Sequence, residues 1–277
     1  MIAPLPMVDT RPLIREIDAA LLDLLRSLAP DGWLRPAVGG WVVRDVAAHL
    51  LHGNVRRLSY DRDEPSPVGG TPAFDDLVTF LDTTNHEWTA VFRQVSRRLL
   101  IELLETTGSL VSDHFDRVDL GGPATFSLVW DGEPSSPAWL DIARDYTEKW
   151  HHQQQIRDAT GRPGLAGPRY LVPLLSTLVR ATQRAYGPVA AAPGTQVSIA
   201  IDDLDRCAWR LERGEAGWRI GLPDDGAPAA AIHLDADTAR RFFMKQVAAR
   251  EARARARAEG PPDLVDPFFT ARAVLAR

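Results

Sequence analysis

The feature that most constrains the fold is a change in hydrophobic pattern along the chain. Through about residue 160, apolar residues recur at the spacing of amphipathic helices. These helical stretches cover residues 10–30, 41–60, 73–95, 96–117 and 139–160. Ser96 is well placed as the N-cap of the fourth stretch, and an alternative is that the third and fourth stretches form one broken helix. Because such helices bury their apolar stripes against one another, the pattern predicts a helical bundle.

A second pattern follows residue 164. A helix over 169–186 precedes four runs of alternating apolar residues, which read TQVSIAID, CAWRLER, GWRIGL and AAIHLD. GEAG supplies a hairpin turn, residues 236–258 return to a helical pattern, and FFTARAVLA indicates one more helix. The sequence therefore predicts an α+β protein with a helical domain over 1–165 and a smaller α/β domain over 166–277.

Composition narrows the class of protein. The 277 residues, 45% hydrophobic, are enough for two domains with their own cores, and the net charge of -5 offers no general basic face for nucleic acid. Cys207 is the only cysteine, so no intramolecular disulfide is possible. The sequence has neither a signal-peptide pattern nor an apolar run of membrane-spanning length. We expect a cytoplasmic monomer or homodimer that binds neither nucleic acid nor membrane.

Three residues have the chemistry of a metal site. Glu148 and His152 are four residues apart on a predicted helix, so their side chains lie on one face and can bind one ion together. His49, on the second predicted helix, supplies a third ligand if the two helices face each other. A Glu and a His at this spacing are more often a surface ion pair, and the spacing alone leaves that alternative open.

Nearby polar residues have two or more interpretations each. Asp45, four residues before His49, either orients an imidazole or is an ordinary helical aspartate. His52 is a further ligand, a substrate-facing or supporting group, or a solvated histidine. Asn85 is a polar substrate contact or part of a buried hydrogen bond between helices. His151 points about 100° away from His152 on the helix and is assigned a structural role.

Two motifs resemble a known family. GWVVRDVAAHLLHGN, over residues 40–54, and TEKWHHQQQIRDATGRPGL, over residues 147–165, are similar to motifs of the mycothiol-dependent maleylpyruvate isomerase family. The resemblance implies a DinB-like four-helix bundle followed by a smaller α/β domain of sterol-carrier-like shape. It also implies that His49, Glu148 and His152 bind a divalent metal, usually zinc, although the same ligand types suit iron, nickel or cobalt.

The resemblance also suggests a function. A metal with an open coordination position can lower the pKa of a bound thiol, and mycothiol is the thiol of the resembled family. The resemblance thus implies a thiol-dependent transferase or isomerase that acts on a small electrophilic substrate. Two alternatives remain: a hydrolase or lyase in which the metal activates water, and a non-catalytic, metal-stabilised module that binds a small molecule.

Overall fold

The structure is a computed structural model that describes residues 2–63, 74–126 and 136–271. For residues 74–82 it describes the backbone only. It mixes helices and sheet, as an α+β protein does. Contacts between residues divide the chain into two units. Of the described residues, the helical unit contains 9–63, 74–126 and 137–165, and the sheet-containing unit contains 2–8, 136 and 166–271.

In its described residues, the helical unit has five α-helices, with a short two-stranded hairpin between the first and second. The helices are α1 (Arg11–Ser27), α2 (Val43–Arg57), α3 (Phe74–Phe92), α4 (Arg97–Phe115) and α5 (Ala138–Thr160), and the hairpin strands are β1 (Pro36–Val38) and β2 (Trp41–Val42). The packed core receives apolar side chains from α1, α2, α4 and α5. Leu25, Leu51, Leu100 and Ile156 are almost completely buried there.

Local signals in the sequence explain where these helices begin and end. The Ser96 side chain accepts a hydrogen bond from the backbone N–H of Leu99 at 3.2 Å, which confirms Ser96 as the N-cap of α4. Gly161 ends α5 with a φ of 65°, a left-handed conformation that glycine adopts at no steric cost. The helix that carries two candidate ligands is therefore fixed at its C-terminal end by local chemistry.

The second predicted helix ends differently from expectation. It was predicted to continue to Tyr60, but regular α-helix stops at Arg57 and a π-helical turn, Leu58–Asp63, follows. In this turn Asp61 comes within 3.6 Å of Arg57 and 3.2 Å of His114 on α4. The wider turn therefore brings a carboxylate toward the end of α2.

The second unit carries a five-stranded sheet. Its strands are β3 (Gln196–Ile201), β4 (Ala208–Arg213), β5 (Trp218–Gly221), β6 (Ala230–Leu234) and β7 (Arg257–Glu259), in the spatial order β5-β4-β3-β6-β7. β3 and β6 pair in parallel and the other neighbours are antiparallel. Its helices are α6 (Pro168–Leu178), α7 (Ala181–Tyr186), α8 (Ala236–Phe243), α9 (Ala249–Arg255) and α10 (Pro262–Val265). The four strands predicted from alternation are all present.

Two predicted helices of this unit are divided. The helix predicted over 169–186 forms α6 and α7. The helix predicted over 236–258 is wrong as one element: α8 ends at Phe243, Lys245 adopts a φ of 57°, and α9 starts only at Ala249. A positive φ is incompatible with a continuous right-handed helix, so the chain turns there.

The C-terminal part of that stretch differs further. Residues 257–259 pair with β6 as an edge strand, so the Ala/Arg-rich segment is helix only in part. The final predicted helix lies partly outside the described residues, as does the middle of the segment between the fourth and fifth helical stretches. Within the described part of the chain, no helix combines the length and the hydropathy of a membrane span.

Candidate metal centre

α2 places His49 beside the packed core. Val46 and Leu50 of this helix are buried, and His49 lies on the adjacent face with 14% of its side chain exposed. The indole of Trp41, just before the helix, lies 5.2 Å from the His49 ring between centroids. The imidazole is therefore held at the edge of the core, not extended into solvent.

α5 supplies the other two candidate ligands. Glu148 Oε1 and His152 Nε2 lie 3.0 Å apart, as the spacing of four residues predicts for one face of a helix. Tyr146, Trp150 and Ile156 anchor the same helix by almost complete burial. Because the backbone of α5 is held in this way, the pair has a fixed location in the helical unit.

The two helices bring the three side chains together. His49 Nε2 lies 3.5 Å from Glu148 Oε1, and the rings of His49 and His152 meet edge to face with centroids 4.5 Å apart. One ligand atom from each of the three residues lies within 4.8 Å of the others. Two imidazoles and one carboxylate at these separations are a suitable donor set for a divalent transition metal.

One side of the cluster is open to solvent. The His152 side chain is 10% exposed, whereas the Glu148 side chain is 41% exposed. A structural zinc site is normally closed by four protein ligands, and a catalytic site retains an open position. The exposure of Glu148 therefore favours a site that a small molecule can reach.

The protonation equilibria of the three side chains are coupled. Burial acts to raise the pKa of Glu148, but His152 and His49 outweigh it and hold that pKa well below its usual range. Burial acts to lower the pKa of His152, but Glu148 more than compensates and raises it. Burial and the charge of His152 together lower the pKa of His49. Without a metal, the site therefore favours an ionised Glu148 beside a protonated His152.

His52 and Asn85 form a pair of their own. His52 Nδ1 lies 3.0 Å from Asn85 Oδ1, and the His52 ring stacks on Trp88 with centroids 4.7 Å apart. The Trp88 indole N–H donates to the backbone oxygen of Ala48 at 3.1 Å. His52 is 4% exposed, so the interpretation as a solvated histidine does not apply. The amide oxygen accepts from Nδ1–H, which leaves His52 Nε2 as the acceptor of a neutral ring.

The burial of His52 leads to a testable pH dependence. Burial lowers the pKa of His52 from 6.5 to about 4, so between these values the unfolded chain binds a proton that the folded chain does not. The free energy of unfolding should therefore fall as pH decreases from 6.5 toward 4, with a contribution of at most about 1.4 kcal/mol per pH unit from this residue. We expect His52→Gln to reduce this slope, as measured by denaturant unfolding with chelator present.

A matched control for this measurement is His86→Gln, because His86 is an exposed histidine on α3. That variant should retain the pH slope of the unmodified chain. An unchanged slope in His52→Gln would mean that His52 is not held neutral by the fold.

Asp45 is engaged away from His49. Both of its carboxylate oxygens pair with Arg93, at 2.9 and 3.0 Å, and one also accepts from the backbone N–H of Val42 at 3.2 Å. These contacts stabilise the first turn of α2, where an acidic side chain is favourable. They match the interpretation as an ordinary helical aspartate.

Two features near the cluster were not predicted from the sequence. Gln155 lies between His152 and His151, with Oε1 2.8 Å from His152 Nδ1 and Nε2 2.9 Å from His151 Nε2. Arg56, one turn beyond His52, is close enough that its charge lowers the pKa of both His49 and His52. Helical spacing gave a signal for both, because Gln155 follows His152 by three residues and Arg56 follows His52 by four.

A buried ion-pair cluster lies further along the same two helices. Arg57 binds both carboxylate oxygens of Asp141, at 2.6 and 3.0 Å, and donates to Asp145 at 3.1 Å. Arg57 is 5% and Asp141 4% exposed. Burial acts to raise the pKa of Asp141, but Arg57 and then Arg144 outweigh it and lower that pKa. The cluster links α2 to α5 within the helical unit.

Comparisons with known proteins give one kind of match. No protein-family model and no curated protein matches the chain. The crystal structure of the mycothiol-dependent maleylpyruvate isomerase is similar, with a TM-score of 0.53 at 12% sequence identity over 93% of this chain and 95% of that chain. A variant of that isomerase with one histidine replaced by alanine gives 0.53 at 13% identity over the same shares. At these identities the likeness shows the fold alone, and at that level it confirms the resemblance indicated by the two motifs.

Proposed function

We propose that this chain is a metal-dependent enzyme that uses a low-molecular-weight thiol for S-transfer to, or isomerisation of, a small electrophilic substrate. The observation that carries the proposal is the meeting of His49, Glu148 and His152 ligand atoms within 4.8 Å on two facing helices. The likeness in fold to a mycothiol-dependent isomerase supports it. In the same proposal, the helical unit corresponds to a DinB-like four-helix bundle and the second unit to a sterol-carrier-like domain.

The proposed metal is zinc, held by the Nε2 atoms of His49 and His152 and by the Glu148 carboxylate. The donor set fits, because neutral imidazoles and a carboxylate are ordinary zinc ligands and three protein ligands leave one position open. When bound, such a metal would supply a positive centre that lowers the pKa of a thiol or water at that position. The residues themselves contribute a fixed geometry and the negative charge of Glu148.

The thiol comes from outside the chain in this proposal. Cys207, the only cysteine, is 1% exposed, and burial raises its pKa to about 11. A thiol in that state is a poor nucleophile at neutral pH. A small exogenous thiol such as mycothiol is therefore the nucleophile that we assign to the open position.

Neighbouring side chains favour a substrate that carries negative charge. Among the described residues, no carboxylate lies within ion-pairing distance of Arg56. Tyr60 and then Asp145 act to raise its pKa, but by less than burial lowers it. Burial, and then the charges of Arg57 and Arg144, lower the pKa of Arg56. A substrate carboxylate would neutralise this cation beside the candidate ligands. His52 Nε2 is suited to accept a hydrogen bond, because Asn85 holds the proton on Nδ1.

The proposal is tested by turnover of a small α,β-unsaturated carboxylic acid by the zinc-loaded chain, with and without added thiol. We expect turnover to require both the thiol and the metal, and to disappear on removal of zinc by chelation. Turnover that needs zinc but not thiol would assign the site to water activation instead. Thiol-dependent turnover that survives complete metal removal would contradict the metal-dependent proposal.

A further inference from the structure

Gln155 connects the candidate ligand His152 to a second histidine. Its amide oxygen lies 2.8 Å from His152 Nδ1, and its amide nitrogen lies 2.9 Å from His151 Nε2. The three residues are all buried, with exposures of 7 to 8%. A buried hydrogen-bonded chain of His152, Gln155 and His151 therefore begins at one of the three candidate ligands.

The amide restricts which nitrogen of His152 carries a proton. An amide oxygen can only accept a hydrogen bond, so His152 Nδ1 must hold the proton and donate it. Nε2 lies 3.0 Å from Glu148 Oε1 and donates to that carboxylate when the ring is protonated. In the neutral ring with the Nδ1–H tautomer, the lone pair that a metal would need is on Nε2. The opposite amide orientation would present an N–H to Nδ1 and place the ring proton on Nε2, where it would block a metal.

His151 stabilises the orientation that leaves Nε2 available. The Gln155 amide nitrogen can only donate, so His151 Nε2 acts as its acceptor at 2.9 Å. With His151 Nε2 as the acceptor, the amide oxygen faces His152. Metal-binding histidines generally donate their other ring N–H to such an acceptor, which fixes the ring and its tautomer.

We propose that Gln155 is a positioning residue of the metal centre, which holds His152 in the Nδ1–H tautomer so that Nε2 can bind a divalent metal. This inference rests on the metal centre proposed above. It adds a residue that acts through His152 and does not touch the metal or the substrate.

The test is the zinc dissociation constant of the full chain, measured by competition with a chromophoric chelator. Gln155→Met keeps the approximate shape of the side chain but removes the acceptor, and we expect zinc binding to weaken by about 10- to 100-fold. Gln155→Glu keeps an acceptor for Nδ1–H, and we expect its affinity to remain within about threefold of the unmodified chain or to increase. If Gln155 had only a structural role, Gln155→Met and Gln155→Glu would change the zinc affinity by similar factors.

Gln153→Met is the matched control. Gln153 is on the same helix, is 1% exposed and donates to the backbone oxygen of Ile17 at 3.0 Å, away from His152. We expect that variant to bind zinc as the unmodified chain does. Nitrogen-15 NMR of the zinc-loaded protein adds a second measurement, in which His152 should show a protonated Nδ1 in the unmodified chain and in Gln155→Glu.

The outcomes separate this inference from the proposed function. Unchanged zinc affinity in Gln155→Met, or equal weakening in Gln155→Glu and Gln155→Met, would overturn the positioning role while leaving the metal centre intact. An unmodified chain that binds no zinc would overturn both. Weakening confined to Gln155→Met supports the inference.

Discussion

We expect His152→Ala to weaken zinc binding by roughly a hundredfold or more. Structural zinc sites with four ligands bind with about 10–16 kcal/mol, or about 3 kcal/mol per ligand, which corresponds to a factor of about one hundred. His152 also holds Glu148 at 3.0 Å, so its removal frees the carboxylate to take other rotamers. Chelator competition and metal analysis of the purified variant measure the loss, and thiol-dependent turnover should fall with it.

His86→Ala is the control for this prediction, because His86 is exposed on α3 and belongs to no described group of candidate ligands. It should bind zinc with unchanged affinity. His49→Ala should behave like His152→Ala, since each removes one imidazole from the same group. If His49→Ala and His152→Ala both retained one equivalent of zinc at the original affinity, the metal centre would not be where we place it.

Arg57→Met should lower the free energy of unfolding by about 3–5 kcal/mol, because it removes one partner of a buried ion pair. Asp141, which is 4% exposed, would then lose its two-point partner and retain Arg144 as its ion-pair partner, at 3.2 Å. The Arg57 guanidinium also lies 5.6 Å from the centre of the Phe115 ring, a contact that Met replaces only in part. Urea unfolding monitored by tryptophan fluorescence measures the change.

Arg26→Met is the comparison for an exposed pair in the same unit. Arg26 lies 2.6 Å from Glu105, with side chains 46% and 54% exposed, and such pairs contribute about 0–1 kcal/mol. A combined Arg57→Met and Asp141→Leu variant should recover part of the loss, since the buried Asp141 carboxylate is then removed together with Arg57, while Asp145 and Arg144 still lose a partner each. Equal costs for Arg57→Met and Arg26→Met would show that the buried cluster does not stabilise the fold.

The sequence was sufficient where structure depends on neighbours along the chain. The Ser96 cap, the glycine stop at Gly161 and the alternation of β3 to β6 depend on side chains within a few residues of one another. The pairing of Glu148 with His152 is of the same kind, because one turn of helix brings them together. These features were therefore predictable from spacing alone.

Features that depend on packing between distant segments were harder to predict from the sequence. His49 meets Glu148 only because α2 and α5 face each other, and helical spacing does not specify which helices become neighbours. The break at Lys245 interrupts the helical pattern predicted over 236–258. The pairing of residues 257–259 with β6 also cuts short the Ala/Arg-rich end of that pattern, which has high helix propensity. Pairing with a sheet edge overrides that local preference. The role of Gln155 depends on ring orientation, which no spacing rule provides.

The separation of the candidate ligands in the sequence affects how the protein is made. His49 and Glu148 are 99 residues apart, although their side-chain atoms lie 3.5 Å apart. A nascent chain that has not yet emerged as far as residue 148 presents only one of the three candidate ligands. The packing of α2 with α4 and α5 in one core contributes to offsetting the entropic cost of closing this loop. In the proposed function, metal binding would therefore require the native arrangement of α2 and α5 and not only the formation of the individual helices.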